Sequence, residues 1–217
     1  MSESLPEKLE PEPAAAEAIF GEQLPVAREY ARHLELYGDE LGLIGPKELP
    51  RLWSRHLLNC GLLAPLLRPG TVGDVGSGAG LPGLVLAILR PDVRFVLIEP
   101  MERRSDWLRA ESARLRLDNV SVLRARAQDA DLEEPLDQVT ARAVSALRTL
   151  IPATARLLRP GGEMLFLKGS GVEAEVDAAA KEIRRFRLQD VRVVSLGHGI
   201  VHEETRVFAA RVDGPAA

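Results

Sequence analysis

The stretch TVGDVGSGAGLPG, residues 71–83, decides the fold of this chain. Its first part, TVGDVG, is short and apolar and predicts a strand, and the following LPGLVLAILR (81–90) predicts a helix. Glycines at positions 76, 78 and 80 lie between them. Glycine allows unusual backbone dihedrals and a close approach of the backbone to a ligand. The stretch therefore predicts a strand, a tight glycine turn and a helix.

The same alternation continues towards the C-terminus. Further strands are predicted at 93–99, 120–125, 138–144 and 163–168, with helices near 101–117, 147–158 and 172–186. Such alternation is typical of a parallel sheet with crossover helices. Two closing strands, 190–196 and 204–212, leave no room for a helix between them and predict an antiparallel hairpin. The expected fold class is α/β, a Rossmann-like and mostly parallel sheet with an antiparallel last strand, over residues 68–217.

Two different segments precede this sheet. Residues 14–67 repeat apolar side chains at three- and four-residue steps, which predicts an N-terminal helical cap. Residues 1–13 are rich in Pro and Glu and poor in apolar side chains, which predicts a disordered acidic tail.

Composition and charge narrow the function classes. The 217 residues are 46% hydrophobic with a formal net charge of -4, and the single cysteine, Cys60, excludes an intramolecular disulfide. Residues 1–22 carry a net charge of -5, unlike the basic start of a signal peptide, and no apolar run reaches membrane-spanning length. We expect a cytoplasmic monomer without a membrane contact. The remaining chain carries +1, so local clusters of cations can still contact phosphates.

The glycine turn also predicts a nucleotide cofactor. It follows the first strand, at the sheet edge where open α/β proteins bind ligands, and Glu99 ends the second strand, where a carboxylate can accept hydrogen bonds from ribose hydroxyls. Residues 78–83 match the G-x-G-x-x-G pattern of NAD-binding proteins. Residues 74–80 match D-x-G-x-G-x-G, which looks like the loop of S-adenosylmethionine-dependent methyltransferases. The leading Asp74 and the antiparallel hairpin favour S-adenosylmethionine, and an NAD-binding oxidoreductase stays as the alternative.

Six blocks along the chain make the resemblance more specific. They are WSRHLLNCG (53–61), VGSGAGLPGLVLAI (75–88), IEPMERRSDWL (98–108), RARAQD (124–129), ARAVSAL (141–147) and FLKG (166–169). In order and spacing they resemble the bacterial small-subunit (16S) ribosomal RNA guanine-N7 methyltransferases, the glucose-inhibited division protein B family. The resemblance implies a class I methyltransferase that acts on guanine N7 in the decoding region of 16S ribosomal RNA or of the small ribosomal subunit. A methyltransferase acting on a small molecule is the enzymatic alternative.

The resemblance also implies where the cofactor binds. The family's contacts fall on Gly76, Leu81, Ala127, Gln128 and Arg142, of which Leu81 replaces a common Phe and Gln128 a usual Glu. The glycine-loop pattern adds Asp74, Ser77, Gly78, Gly80 and Glu99 to the predicted cofactor contacts. Trp107 stands where Phe is typical and is predicted to pack in the core.

Guanine N7 has an exposed lone pair and no proton to lose, so no general base is expected. Cys60 lies in an apolar helical stretch and is predicted to be a core residue rather than a nucleophile. His198 and His202 have the spacing of metal ligands on a helix, but glycines flank His198 and the segment leads into a predicted strand. No metal is therefore expected. Arg142 is expected to bind the cofactor, guanine O6 or a phosphate, and His56 either caps the cleft or packs beside Trp53. The predicted substrate contacts are His56, Arg103, Arg104, Arg126, Lys168 and Arg206.

Overall fold

A seven-stranded sheet forms the centre of the molecule, seen in a computed structural model that describes residues 9–213. Its strands are β1 (Thr71–Val75), β2 (Arg94–Ile98), β3 (Val120–Leu123), β4 (Leu136–Arg142), β5 (Leu158–Lys168), β6 (Leu188–Leu196) and β7 (Thr205–Val212). They lie in the order β3-β2-β1-β4-β5-β7-β6. The first five strands are parallel, and β7 pairs antiparallel with both β5 and β6. The predicted fold class and closing hairpin are confirmed.

Helices cover both faces of the sheet. They are α1 (Ala15–Phe20), α2 (Leu24–Tyr37), α3 (Asn59–Gly61), α4 (Gly83–Leu89), α5 (Glu102–Arg114), α6 (Leu147–Ala155), α7 (Val172–Ala178) and α8 (Ala180–Arg185). A π-helix (Leu52–Leu58) runs directly into α3. The single helix predicted over 172–186 is thus two short helices that meet at Ala179.

The start of β5 differs from the predicted one. β5 begins at Leu158, paired with Leu136, and its register shifts before Glu163 pairs with Gln138. The Pro160-Gly161-Gly162 segment, predicted as a turn before the strand, is therefore a bulge inside it. Gly161 supports the bulge with a φ of 75°, a conformation that glycine adopts without steric cost.

The helical segment before β1 packs into the same core as the sheet. Tyr30, Leu34 and Leu57 are fully buried and belong to one hydrophobic cluster with Leu84 of α4 and Phe95 of β2. Burying each such side chain stabilises the fold by about 1.5–3 kcal/mol. The segment at 14–67, predicted as a helical cap, consists of short α-, π- and 3-10 helices with turns between them at 38–45, and its apolar side chains continue the core of the sheet.

The predicted tail joins the fold before its expected end. Residues 1–8 lie outside the described residues. In the described part of the predicted tail, the Glu10 N–H donates to the Leu49 carbonyl at 2.9 Å, and the Glu10 carboxylate accepts from the Ser54 N–H at 2.9 Å. Residues 9–13 form no helix or strand, but these contacts hold them against the helical segment. No helix in residues 9–213 is long and apolar enough to cross a membrane.

Candidate active site

The glycine loop reverses the chain between β1 and α4. Gly76, Gly78 and Gly80 have φ values of 72°, 56° and 105°, a region that other residues rarely adopt. A Cβ on Gly76 would lie 2.7 Å from a methyl of Val144, and one on Gly80 would collide with the Leu84 side chain. The loop therefore needs glycine both for its dihedrals and for the space that it leaves.

Two side chains fix the glycine loop by donating hydrogen bonds to the same backbone carbonyl. Tyr30 of α2 donates its hydroxyl to the Ala79 carbonyl at 2.9 Å, and Trp107 of α5 donates its indole N–H to the same oxygen at 2.8 Å. Trp107 is buried, which confirms its prediction as a core residue and adds a hydrogen bond. No local sequence signal relates Tyr30 to Ala79, because the two residues are 49 positions apart.

Asp74 lies beneath the loop and is completely buried. Its Oδ2 accepts the Gly83 N–H at 3.0 Å, while its Oδ1 has no hydrogen-bond partner among the described residues. Burial raises the pKa of Asp74 to about 7. A buried acceptor without a donor is costly, so this atom fits a ligand that brings a donor or a positive charge.

Glu99, predicted as the last residue of the second strand, directly follows β2 and is also buried. One of its oxygens accepts the Gly78 N–H at 2.9 Å, and the other accepts the Met101 N–H at 3.0 Å. Each carboxylate oxygen can accept a second hydrogen bond, so Glu99 can brace the loop and still bind a hydroxyl.

The other predicted cofactor residues lie around this edge of the sheet. Ser77 donates its hydroxyl to the Asp74 carbonyl at 2.9 Å, and Leu81 is buried where the loop enters α4. Ala127 is buried and Gln128 is exposed in a short 3-10 helix (Ala127–Asp129) after β3. Carboxyl ends of parallel strands meet at one edge, so β1, β2 and β3 present these residues on the same side.

Arg142 ends β4 and reaches the helical segment before β1. Its Nη2 donates to Nδ1 of His56 at 2.7 Å and lies 3.3 Å from the Arg55 carbonyl, and its Nη1 lies 3.8 Å from the Cys60 sulfur. The other ring nitrogen of His56 lies 2.7 Å from the Glu48 carboxylate. Burial and the neighbouring Arg142 charge lower the pKa of His56 to about 4.

A polar cleft of about 970 Å³ opens beside Arg142, at the carboxyl ends of β4 and β5. Its lining includes Ser54, Arg55, Asn59, residues 142–146 and 167–170, Glu175, Glu203, Glu204 and Arg206. Val144 in this lining also lies against the glycine loop, because its side chain is next to Gly76. The cleft and the glycine loop therefore share one wall.

Lys168 and Arg206, two predicted substrate contacts, lie in this cleft. Lys168 Nζ donates to the Ser145 carbonyl at 2.8 Å and to the Glu175 carboxylate at 2.7 Å, and Arg206 pairs with Glu173. Lys168 thus fixes the shared wall at Ser145.

The structure does not place the other predicted cations in the cleft. Arg103 and Arg104 lie on α5 beside Gly42, and Arg126 is exposed before the 3-10 helix that follows β3. His56 packs beneath Arg142, with both ring nitrogens engaged inside the protein. None of these four lines the cleft.

Cys60 is fully buried, which confirms it as a core residue, and burial raises its pKa to about 11. His198 pairs with Glu204 at 2.8 Å on the surface. Within residues 9–213 no group of three His, Cys, Asp or Glu side chains has the arrangement of a metal site.

The sheet order with its antiparallel β7 and the glycine loop above a buried carboxylate define a class I methyltransferase fold. Solved structures share this fold. They include geranyl diphosphate C-methyltransferase from Streptomyces coelicolor A3(2) (TM-score 0.56, 16% identity, 77% of this chain and 78% of that one) and precorrin-6y C5,15-methyltransferase from Geobacter metallireducens GS-15 (TM-score 0.52, 16% identity, 70% and 86%).

The chain belongs to the rRNA small subunit methyltransferase G family, GidB, whose profile matches residues 23–204. The protein named ribosomal RNA small subunit methyltransferase G from Leifsonia xyli subsp. xyli is 61% identical over 206 residues, covering 95% of this chain and 99% of that protein. The protein of the same name from Clavibacter michiganensis subsp. michiganensis is 62% identical over 204 residues, covering 94% and 97%. The family predicted from the six sequence blocks is confirmed.

Proposed function

We propose that this protein transfers a methyl group from S-adenosylmethionine to N7 of a guanine in the 16S ribosomal RNA of the small subunit. The observation that carries the proposal is the position of the polar cleft directly beside the glycine loop, because Val144 lines the cleft and its side chain lies next to Gly76. A nucleotide held by the loop and a base held in the cleft would then lie side by side, with guanine N7 facing the methyl group. Relatives of 61% and 62% identity carry the name of a ribosomal RNA methyltransferase.

The cofactor would be held by residues at the carboxyl edge of β1, β2, β3 and β4. Asp74, Gly76, Ser77, Gly78, Gly80 and Leu81 would bind its methionine part, Glu99 the ribose, and Ala127 and Gln128 the adenine, while Arg142 would stand between the cofactor and the cleft, within reach of either ligand. The Asp74 Oδ1 atom, which has no hydrogen-bond partner in the described part of the chain, and the exposed Gln128 amide supply polar groups for this purpose. When bound, the cofactor supplies an electrophilic methyl group on a positively charged sulfur.

The protein's part in the reaction would be alignment and exclusion of water. Guanine N7 attacks with its own lone pair and loses no proton, so no side chain in the cleft must act as a base. Arg142 would bind guanine O6 or a phosphate, because a guanidinium on N7 itself would block the attack. Lys168 and Arg206 would contact phosphates inside the cleft, and Arg103, Arg104 and Arg126 would contact RNA outside it.

The experiment is methyl transfer with radiolabelled S-adenosylmethionine to naked 16S RNA, the isolated small subunit and the whole ribosome. Strand cleavage at 7-methylguanine locates the product. Label at guanine N7 in one of the three substrates is the expected result, and label in no RNA would overturn the proposal. Full N7 methylation in a strain that lacks the gene would overturn it as well.

Calorimetry tests the cofactor separately. We expect S-adenosylhomocysteine to bind and NAD not to bind, and the reverse would support the oxidoreductase. We also propose that the protein acts as a monomer in the cytoplasm. Sedimentation at micromolar concentration and cell fractionation test these two points.

A further inference from the structure

The His56 ring lies between a carboxylate and a guanidinium. Nδ1 is 2.7 Å from Arg142 Nη2, and Nε2 is 2.7 Å from Glu48 Oε2. The side chain is only 11% exposed and belongs to the π-helix Leu52–Leu58. Three parts of the chain therefore meet at one imidazole: the 3-10 helix Pro46–Arg51, which contains Glu48, the π-helix, and the end of β4.

This arrangement admits one neutral tautomer. A guanidinium has only donors, so Nδ1 must accept the hydrogen bond from Arg142. The proton of the neutral ring is then on Nε2, where it is donated to the Glu48 carboxylate. A second proton on Nδ1 would face the Arg142 charge, and the lowered pKa of His56 agrees with this.

The arrangement also leaves the charge of Arg142 uncancelled. No carboxylate within residues 9–213 forms an ion pair with Arg142, in contrast to Lys168 and Arg206 in the same cleft. Its other contacts, at 3.3 Å to the Arg55 carbonyl and 3.8 Å to the Cys60 sulfur, are longer than the one to His56. A neutral imidazole can orient a guanidinium without neutralising it, which a carboxylate cannot do.

We infer that His56 is a positioning residue, whose Nδ1 lone pair fixes the orientation of Arg142 at the edge of the cleft while Glu48 holds the ring in the required tautomer. The inference rests on the proposed function, since it assigns how the RNA substrate is met by Arg142. It makes the N-terminal helical segment a part of the active site, because Glu48 and His56 both come from that segment. A guanidinium held in place before binding loses less conformational freedom when the substrate arrives.

Two substitutions separate the two hydrogen bonds of the ring. His56→Gln puts an amide near the former Nε2 and keeps the Glu48 contact, whereas His56→Asn puts Oδ1 near the former Nδ1 and keeps the acceptor for Arg142. We expect His56→Gln to lower kcat/KM for RNA by about 10- to 100-fold, the effect of losing a hydrogen bond to a charged group. We expect His56→Asn to recover most of that loss.

His33 provides a matched control. It is similarly buried and lies between Glu111, at 2.7 Å, and Arg32, at 3.0 Å, outside the cleft lining. His33→Gln and His33→Asn should lower the thermal stability without separating in kcat/KM. If wild-type protein methylates RNA but the two His56 variants have equal kcat/KM, the inference is wrong. If wild-type protein methylates no RNA, the proposed function is wrong instead.

Nitrogen-15 NMR of the wild-type protein tests the contact without any turnover. We expect the His56 ring to show a protonated Nε2 and an unprotonated Nδ1 at neutral pH. A proton on Nδ1 of the neutral ring would overturn the inference even if every variant failed to fold.

Discussion

Tyr30 and Trp107 donate to the same oxygen, so their removal should be non-additive. Tyr30→Phe deletes one hydroxyl and leaves the ring in its buried position, and Trp107→Phe deletes the indole N–H together with part of the ring. After either change the Ala79 carbonyl keeps one donor. After both changes it keeps none among residues 9–213.

The expected magnitudes follow from this count. Tyr30→Phe should lower the free energy of unfolding by about 1 kcal/mol, the usual contribution of one hydrogen bond. Trp107→Phe should cost about 2–3 kcal/mol, because it also leaves a small cavity in the core. The double variant should lose about 1–3 kcal/mol more than the sum, since a carbonyl buried without a donor carries its full desolvation penalty.

The same non-additivity should appear in the affinity for the cofactor, because the two hydrogen bonds to the Ala79 carbonyl hold the glycine loop in its path. Urea unfolding measures the stabilities, and calorimetry with S-adenosylhomocysteine measures the affinities. We expect each single variant to weaken binding by less than about tenfold and the double variant by more than the product of the two. Tyr37→Phe is the control, because Tyr37 is on the same helix, is partly exposed and donates no hydrogen bond within the described residues.

Strict additivity in both measurements would refute the reasoning. It would mean that the two donors do not act on a shared acceptor, or that the loop keeps its path without them.

Three further predictions concern the same site. Gly76→Ala should abolish binding of S-adenosylhomocysteine, because the backbone there has a φ of 72° and the new methyl group meets the Val144 side chain. Gly161→Ala is the control, because Gly161 has a similar φ of 75° but open space around it. It should lower the free energy of unfolding by only about 1–3 kcal/mol and leave the affinity for S-adenosylhomocysteine, measured by calorimetry, unchanged. The folded protein holds the Asp74 proton more tightly than the unfolded chain, with a pKa of about 7 against an ordinary 3.8, so this group should lower the free energy of unfolding as pH rises from about 4 to about 7, by about 4 kcal/mol in all. Asp74→Asn should remove that fall. If urea unfolding shows the same pH dependence of stability for wild type and variant, the raised pKa of Asp74 is wrong. Cys60→Ala should keep methyl transfer in the labelling assay, because the thiol is buried with a pKa of about 11; complete loss in a folded variant would contradict a mechanism without a nucleophilic cysteine.

Most of the fold was predictable because its signals are local. Glycine at 76, 78 and 80 predicted the turn, the alternation of apolar segments predicted the parallel sheet, and the short gap between the last two strands predicted the antiparallel hairpin. The prediction was wrong where a local signal has two structural solutions. Pro160-Gly161-Gly162 is typical of a turn between elements, yet pairing of Leu158 with Leu136 makes it a bulge within β5.

The candidate site divides in the same way. Asp74, Glu99 and the glycines were identifiable because they lie at or directly after the ends of the first two predicted strands. The resemblance to the family added Ala127, Gln128 and Arg142 to the predicted cofactor contacts. By itself, the sequence thus determined the element order, the family and the edge of the sheet where a cofactor would bind.

Only the tertiary structure decided how these parts are held. Arg142 and His56 are 86 positions apart and Tyr30 and Ala79 are 49 apart, so no periodicity or spacing relates them. These contacts arise because the N-terminal helices pack across the carboxyl edge of the sheet and bring their polar side chains to a guanidinium and a backbone carbonyl. The partners of a buried polar group depend on which surfaces pack together, and a local sequence pattern does not contain that information.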